Sequence, residues 1–355
     1  MATHHLLSAR QFDRLSLDII FEATCEMKYR YEQEENDPYS SLLVRPNGTP
    51  LRFRLLFRGD STRTEASFED TIESLGGRFI TKRLEFSGAA KGETHWSIAR
   101  ILGPRCDGFI VRDDSPEGKT GIHRMAEAID TYHLKCPVIN AGNGLLEHPT
   151  QTLLDIHTIR EYKQYEFENG KLTFGLIGDL AGSRTIHSLL LGLNHFGGHV
   201  ILIGPAGWDI PPEFYKILSE RPNLTIERTT DLLSVAHRLD IAYFTRLQKN
   251  LRGEKISPEE EQAYAANYGA TKDVRYRMKK DAIGMHPLPH GPEFPDESTD
   301  TSIDLVDERF VHFKQADNGF HVRRAILAEM YVQNWYEVLA GQNGQNHCKP
   351  ILVDV

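Results

Sequence analysis

"LLFRGDSTRTEASFEDTIESLGG", residues 55–77, decides the fold. An apolar run ends at Arg58. Ser61, Thr62 and Thr64 then supply hydroxyls around Arg63, and Phe68, Ile72 and Leu75 recur at helical spacing. The order is strand, turn, amphipathic helix, the unit from which parallel sheets are built. A serine or threonine ahead of a helix is first of all an N-cap. Capping explains one or two of the hydroxyls. It does not explain Arg63, whose cation opposes the helix dipole unless an anion sits beside it. Exposed N–H groups, the positive dipole end, hydroxyls and a guanidinium together make a phosphate cradle.

Outward from this stretch the same alternation repeats. Strands are expected at Arg52–Arg58, Arg78–Ile80, Gly108–Arg112, Val138–Asn140, Thr173–Asp179, His199–Ile203, Ile241–Thr245 and Ala282–Met285, mostly separated by helical patterns. The composition breaks near "EYKQYEFENGKLTFGLIGD", where a charged helix leads to Asn169-Gly170 and a fresh apolar strand. The expected fold is α/β with two domains, each a mostly parallel sheet flanked by helices.

The chain has 355 residues and a formal net charge of −9, a poor balance for sequence-independent nucleic-acid binding, which needs phosphate-neutralising lysine and arginine. No apolar run approaches a membrane span. Cys25, Cys106, Cys136 and Cys348 include no C-x-x-C pair, and reduced, cytosolic thiols are the plainer reading. The N-terminal "MATHHLLSARQFDRLSLD" is charged throughout and does not read as a signal peptide.

Four more stretches carry polar groups just past expected strands. In "NAGNGLLEHPTQTLLDIHTI" (140–159), His148 precedes a helix opened by Pro149, with Gln151 one turn on. A lone histidine there is more often a cap; with Gln151 it can present a donor to a carbonyl and an amide to an NH2 group. "FGLIGDLAGSRTIHSLLLGL" (174–193) lacks the G-x-G-x-x-G dinucleotide fingerprint, so a nicotinamide dehydrogenase is disfavoured, and Arg184 remains as an anion-binding candidate. "IAYFTRLQKN" (241–250) places Arg246 and Gln248 on one side of an extended chain. "AIGMHPLPHGPE" (282–293) holds two prolines that leave carbonyls free to accept. Open α/β sheets bind ligands at the carboxyl ends of their strands. Several arginines and few carboxylates imply anionic substrates and catalysis by positioning and charge stabilisation.

"STRTEASFE", "VINAGNGLLEHPTQTLLD", "GDLAGSRTIHSL", "TRLQK", "HPLP" and "QADNGFHVRRAIL" occur in the order and spacing of the aspartate/ornithine carbamoyltransferase family, over roughly residues 50–330. The chain resembles most the aspartate branch, the catalytic chain of aspartate carbamoyltransferase. It has neither the S-M-G motif nor the H-C-L-P cysteine of the ornithine branch. The resemblance implies a carbamoyl phosphate-binding domain (1–160), an amino-acid-binding domain (161–318) and a C-terminal helix returning to the first domain, plus a tail (319–355). It places the active site in the cleft between the domains. It implies transfer of the carbamoyl group of carbamoyl phosphate to L-aspartate, an early step of pyrimidine synthesis, without cofactor or metal.

By the same resemblance Ser61, Thr62, Arg63, Thr64 and Arg112 bind phosphate. Thr64, Arg112 and His148 polarise the carbonyl, and Gln151 and the Leu288 carbonyl hold the carbamoyl NH2. Arg184, Arg246 and Gln248 bind the aspartate carboxylates. "FSGAAKGET" (86–94) resembles the loop through which Ser87 and Lys91 reach a neighbouring subunit's site, with Lys91 touching both substrates, which implies a homotrimer with shared sites; the expected location is cytoplasmic. Regulatory or dihydroorotase partners stay open.

Four features depart from the family pattern. Glu65 stands where an arginine is usual, Ala181-Gly182 replace a lysine and a bulky residue, His290 replaces the arginine after H-P-L-P, and Asn250–Lys280 is longer than usual. The alternatives are a carbamoyltransferase for another acceptor and a catalytically silent paralogue, against which the intact anion-site residues argue.

Overall fold

The computed structural model describes residues 5–33, 37–59, 62–86, 92–115, 118–144, 146–220, 223–248, 256–294, 303–332 and 335. They fall into two compact units: residues up to Leu153 together with those from Gly319, and Leu154–Asn318.

In the first unit β1 (Arg52–Phe57), β2 (Arg78–Arg83), β3 (Gly108–Asp113) and β4 (Val138–Asn143) form a parallel sheet in the order β2-β1-β3-β4. Most of β1 and nearly all of β3 and β4 are buried, as in a sheet covered on both faces. The unit's helices are α1 (Arg14–Gln33), α2 (Thr62–Ser74), α3 (His95–Leu102), α4 (Gly118–Thr131) and the start of α5 (Pro149–Glu168). α4 buries Ile122, Met125, Ala126 and Ile129, a stripe at helical spacing. Leu6 bridges Ile139 in parallel and continues the sheet past β4, while β2 forms the opposite, half-exposed edge.

In the second unit β5 (Thr173–Ile177), β6 (Gly198–Ile203), β7 (Leu224–Thr229), β8 (Ile241–Phe244) and β9 (Ile283–Met285) are all parallel, in the order β7-β6-β5-β8-β9. Its helices are α6 (Arg184–Leu193), α7 (Pro212–Glu220), α8 (Leu232–Val235), α9 (Pro258–Tyr268), α10 (Lys272–Arg277), α11 (Ile303–Val306) and the first part of α12 (His312–Tyr331). Ile177, Ile201, Ile203, Ala242, Phe244, Phe294 and Phe310 belong to its core. Gly178 ends β5 at φ +117°, and a Cβ there would lie 2.2 Å from the Tyr264 hydroxyl. Only glycine meets both demands.

Two expectations need correction. The sequence reading gave no strand at residues 224–229. There "LTIERT" interleaves charge with apolar residues, because β7 is a half-exposed edge strand. Cys25 is disulfide-bonded, against the expectation of reduced thiols, while Cys106 and Cys136 are free and buried. The expected C-terminal tail lies outside the described residues.

The first unit buries a guanidinium completely. Arg324 of α12 is inaccessible to solvent, donates to the Met27 carbonyl at 3.2 Å, pairs with the Asp37 carboxylate and lies 4.9 Å from the Tyr31 ring centroid. Truncating one partner of a buried pair strands the other charge at a cost of about 3–5 kcal/mol. Asp37→Ala is therefore expected to lower the urea midpoint by that amount of stability with little change in slope. A midpoint shift of under about 1 kcal/mol would class the pair with exposed ones.

Candidate active site

The candidate residues of the first unit follow the carboxyl ends of β1, β3 and β4. These strands are neighbours in the sheet, so their loops lie side by side. Arg58 N–H donates to the Arg112 carbonyl at 2.8 Å, and Gly144 N–H donates to the Asp113 carbonyl at 2.9 Å. Thr62, Arg63 and Thr64 form the first turn of α2. Thr62 and Arg63 are exposed and Thr64 is half-buried. Arg112 is half-buried at the end of β3, with its Nη2 3.1 Å from Asp114 Oδ2. His148 and Gln151 are buried at the start of α5, where the His148 carbonyl accepts from Gln151 N–H at 3.0 Å and Thr152 N–H at 3.2 Å. Ser61, Ser87 and Lys91 lie outside the described residues.

Asp113 anchors this corner from beneath. Its carboxylate is fully buried, 2.9 Å from Arg58 Nε and 3.1 Å from His95 Nε2, and it accepts from Ser115 N–H at 3.0 Å. Burial alone would raise its pKa, but the bonds from His95 and Ser115 and the Arg58 charge outweigh it and hold the group below the usual range. The Glu65 departure is answered by another element. Arg83 at the end of β2 reaches Glu65 through Nη1 at 2.8 Å and Nη2 at 3.1 Å, and its Nη1 also donates to the Gly59 carbonyl at 3.3 Å. Burial raises the Glu65 pKa, against the pull of Arg83.

In the second unit the candidates follow β5, β8 and β9, again neighbours. Arg184 opens α6, and Arg246 and Gln248 follow β8. The buried Asp179 ties these two loops: Oδ1 accepts from Gly182 N–H at 2.9 Å and Oδ2 from Gln248 N–H at 3.2 Å. A Cβ at position 182 would lie 2.8 Å from Asp179 Oδ2, which accounts for glycine where the family carries a bulky residue. Arg246, Leu247, Glu261, His290, Gly291, Pro292 and Glu293 line a cavity of about 170 Å³.

Leu288 sits in the turn after β9 at φ +49°, with a cis peptide to Pro289. A buried polar network backs that turn. Tyr243 Oη donates to Asp155 Oδ2 at 2.8 Å, and Gln315 Nε2 donates to Asp155 Oδ1 at 2.6 Å. Gln315 Oε1 accepts from His286 N–H at 2.8 Å. The His286 ring contacts Leu288 N–H at 2.9 Å and Glu293 Oε1 at 3.0 Å. Sequence reasoning named none of these supports. Asp155 ends one of the quoted motifs, Gln315 opens another and Glu293 closes the 282–293 stretch, but none received a role of its own. Among the described residues, no group of three or more His, Cys, Asp or Glu side chains could hold a metal ion.

Two parallel α/β units, each presenting polar groups at the carboxyl edge of neighbouring strands, define an enzyme that handles anionic substrates. Residues 4–161 match the family model for the carbamoyl-P binding domain of aspartate/ornithine carbamoyltransferases, and residues 170–330 match the Asp/Orn binding domain. A chloroplastic aspartate carbamoyltransferase of Arabidopsis thaliana is 36% identical over 92% of this chain and 77% of its own. The catalytic subunit from Methanocella arvoryzae is 32% identical over 91% and 96%. The aspartate transcarbamoylase of Trypanosoma cruzi, solved with N-(phosphonacetyl)-L-aspartic acid, superposes with a TM-score of 0.78 at 29% identity, over 92% of this chain and 95% of that one. The chain belongs to the aspartate/ornithine carbamoyltransferase family.

Titration around Phe294 gives a stability prediction. His286 is fully buried and its pKa is lowered by burial, then opposed by Glu293 and assisted by His290 and Arg246. His312 is pushed down to about 4 by burial, with His286 and His290 assisting and Asp304 opposing. Both folded values lie below the ordinary imidazole value of about 6.5, so the fold favours the neutral rings. That contribution is complete above the unfolded pKa and is lost as pH falls through the window from about 6.5 toward 4. The urea midpoint should fall between pH 7 and pH 5, and less steeply in His312→Phe. Equal slopes for the two proteins would remove His312 from this account.

Proposed function

We propose that this protein is an aspartate carbamoyltransferase, producing N-carbamoyl-L-aspartate and phosphate from carbamoyl phosphate and L-aspartate. One observation carries the reading. Thr62–Thr64, Arg112, His148 and Gln151 lie at the ends of three adjacent strands, or at the helix starts that follow them, in the unit that matches the carbamoyl-P binding domain. The first turn of α2 and Arg112 take the phosphate. Thr64, Arg112 and His148 face the carbonyl oxygen, where negative charge grows as the amine attacks the carbonyl carbon. Gln151 and the Leu288 carbonyl hold the carbamoyl NH2. The C–N bond forms, the C–O bond to phosphate breaks, phosphate leaves with the bonding pair, and the proton lost by the attacking amine ends on the departing phosphate. Arg184, Arg246 and Gln248 fix the acceptor's carboxylates, so that much of the rate comes from orientation.

The domain assignment of 1–160, 161–318 and 319–355 is part of the same proposal. So are a homotrimer, in which Ser87 and Lys91 serve the neighbouring subunit's site, and a cytoplasmic location. No described helix is long and apolar enough to cross a membrane. A second reading, another amino acceptor, is favoured by His290, which lines the cavity beside Arg246 where the family carries arginine. A carbamoylation assay with a panel of acceptors separates the two: L-aspartate should be used and L-ornithine barely, and comparable turnover of ornithine would overturn the assignment. His290→Arg should keep or raise activity with aspartate. A fall by orders of magnitude in a folded variant would favour the second reading.

Arg63→Ala should stay folded and be nearly inactive: the lost contact to the anion costs about 1.5–3 kcal/mol, roughly 10- to 150-fold in kcat/KM, and the cost is larger because the same contact stabilises the transition state. Unchanged kinetics would reduce the 61–64 segment to a helix cap. Lys91→Ala should be nearly inactive too. Mixed under subunit exchange, the two variants should recover about a quarter of the wild-type sites at equal input, as expected for a cyclic heterologous interface. No recovery despite verified exchange would place Lys91 outside its neighbour's site.

A further inference from the structure

The turn 286–291 is braced by side chains. Pro287 and Pro289 have no N–H. His286 N–H is taken by Gln315, Leu288 N–H by the His286 ring, and Gly291 N–H by Glu293 Oε1 at 2.7 Å. Leu288 itself sits at φ +49°, a region that side-chain-bearing residues rarely adopt. Something must hold it there.

The hydrogen bonds fix which ring nitrogen carries the proton. Leu288 N–H is a donor, so Nδ1, 2.9 Å away, must accept. The one proton of the neutral ring is then on Nε2, donated to Glu293 Oε1 at 3.0 Å. That carboxylate is fully buried. The contact looks like an ion pair, but an imidazolium would turn Nδ1 into a donor facing the Leu288 donor. Arg246 and His290 also oppose a second proton on the ring.

We propose that His286, as a neutral ring protonated on Nε2 and held in that tautomer by Glu293, is a positioning residue that fixes Leu288 so that its carbonyl meets the carbamoyl NH2. This rests on the carbamoyltransferase reading above. The phosphate end of the substrate makes no use of Leu288, so the device acts on the carbamoyl end alone.

The two conservative variants divide the ring's duties. Asparagine at 286 can offer its oxygen near the place of Nδ1 and keep the bond from Leu288 N–H, as in an Asx turn. Glutamine reaches the place of Nε2, keeps the bond to Glu293 and loses the one to Leu288.

Calorimetry on the full-length protein, with carbamoyl phosphate and separately with inorganic phosphate, reads the difference. His286→Gln should bind carbamoyl phosphate about tenfold more weakly or worse, with phosphate affinity unchanged, whereas His286→Asn should stay within about threefold of the parent for both. Equal losses in the two variants, or a loss shared by phosphate, would overturn the proposal and leave His286 a core residue. A parent that fails to bind carbamoyl phosphate would instead sink the functional reading on which it rests. Should His286→Gln not fold, 15N NMR of histidine-labelled parent protein, with His286→Asn as the assignment control, decides the matter. An unprotonated Nδ1 at neutral pH is expected, and a doubly protonated or Nδ1-protonated ring would overturn the proposal.

Discussion

Parallel hydrogen bonding between neighbouring strands is the constraint on which the rest depends. When β1, β3 and β4 run in one direction, every crossover from them leaves at one edge. The same holds for β5, β8 and β9. Helix starts, with their unpaired N–H groups, and the residues just beyond each strand are thereby gathered without long loops. The site chemistry in each unit is a consequence of strand direction before it is a consequence of any side chain.

Strand ends alone leave a loop free to move by more than chemistry tolerates. Several of these corners are therefore tied by buried carboxylates: Asp113 beneath β3, Asp179 beside β5 and β8, Asp155 and Glu293 around the turn after β9. Buried carboxylates are costly when unpaired, and these accept from two or more donors each, so the loop that supplies the donors cannot drift without stranding a charge. Rigidity is obtained locally, from polar groups that carry no function of their own.

The sequence disclosed the elements whose cause is local. Phe68, Ile72 and Leu75 announce α2 by their spacing, and the apolar runs at Gly108 and Thr173 announce β3 and β5. β7 escaped because an edge strand has one open flank and no need of a continuous apolar run. The site residues announce themselves where chain order brings them beside a strand end, as at Arg112, Arg184 and Arg246. Asp155, Gln315 and Glu293 were illegible for a different reason. Glu293 meets partners close in the chain but within a loop that has no period to read, while Asp155 and Gln315 lie far apart, and only folding makes Gln315 the link between Asp155 and His286. No pattern of spacing records a meeting 160 residues apart.

The Glu65–Arg83 pair has a consequence for how such chains are compared. Column by column, a glutamate where the family usually has arginine scores as a lost charge, the mark of a decayed site. Here the cation is present but arrives from the neighbouring strand, beside Gly59, and the glutamate is its tether. The pair is neutral as a whole, but its guanidinium is held at the mouth of α2 beside the Gly59 carbonyl, so a cation stands there although position 65 is acidic. A substrate responds to the field and has no means of knowing which residue numbers generate it.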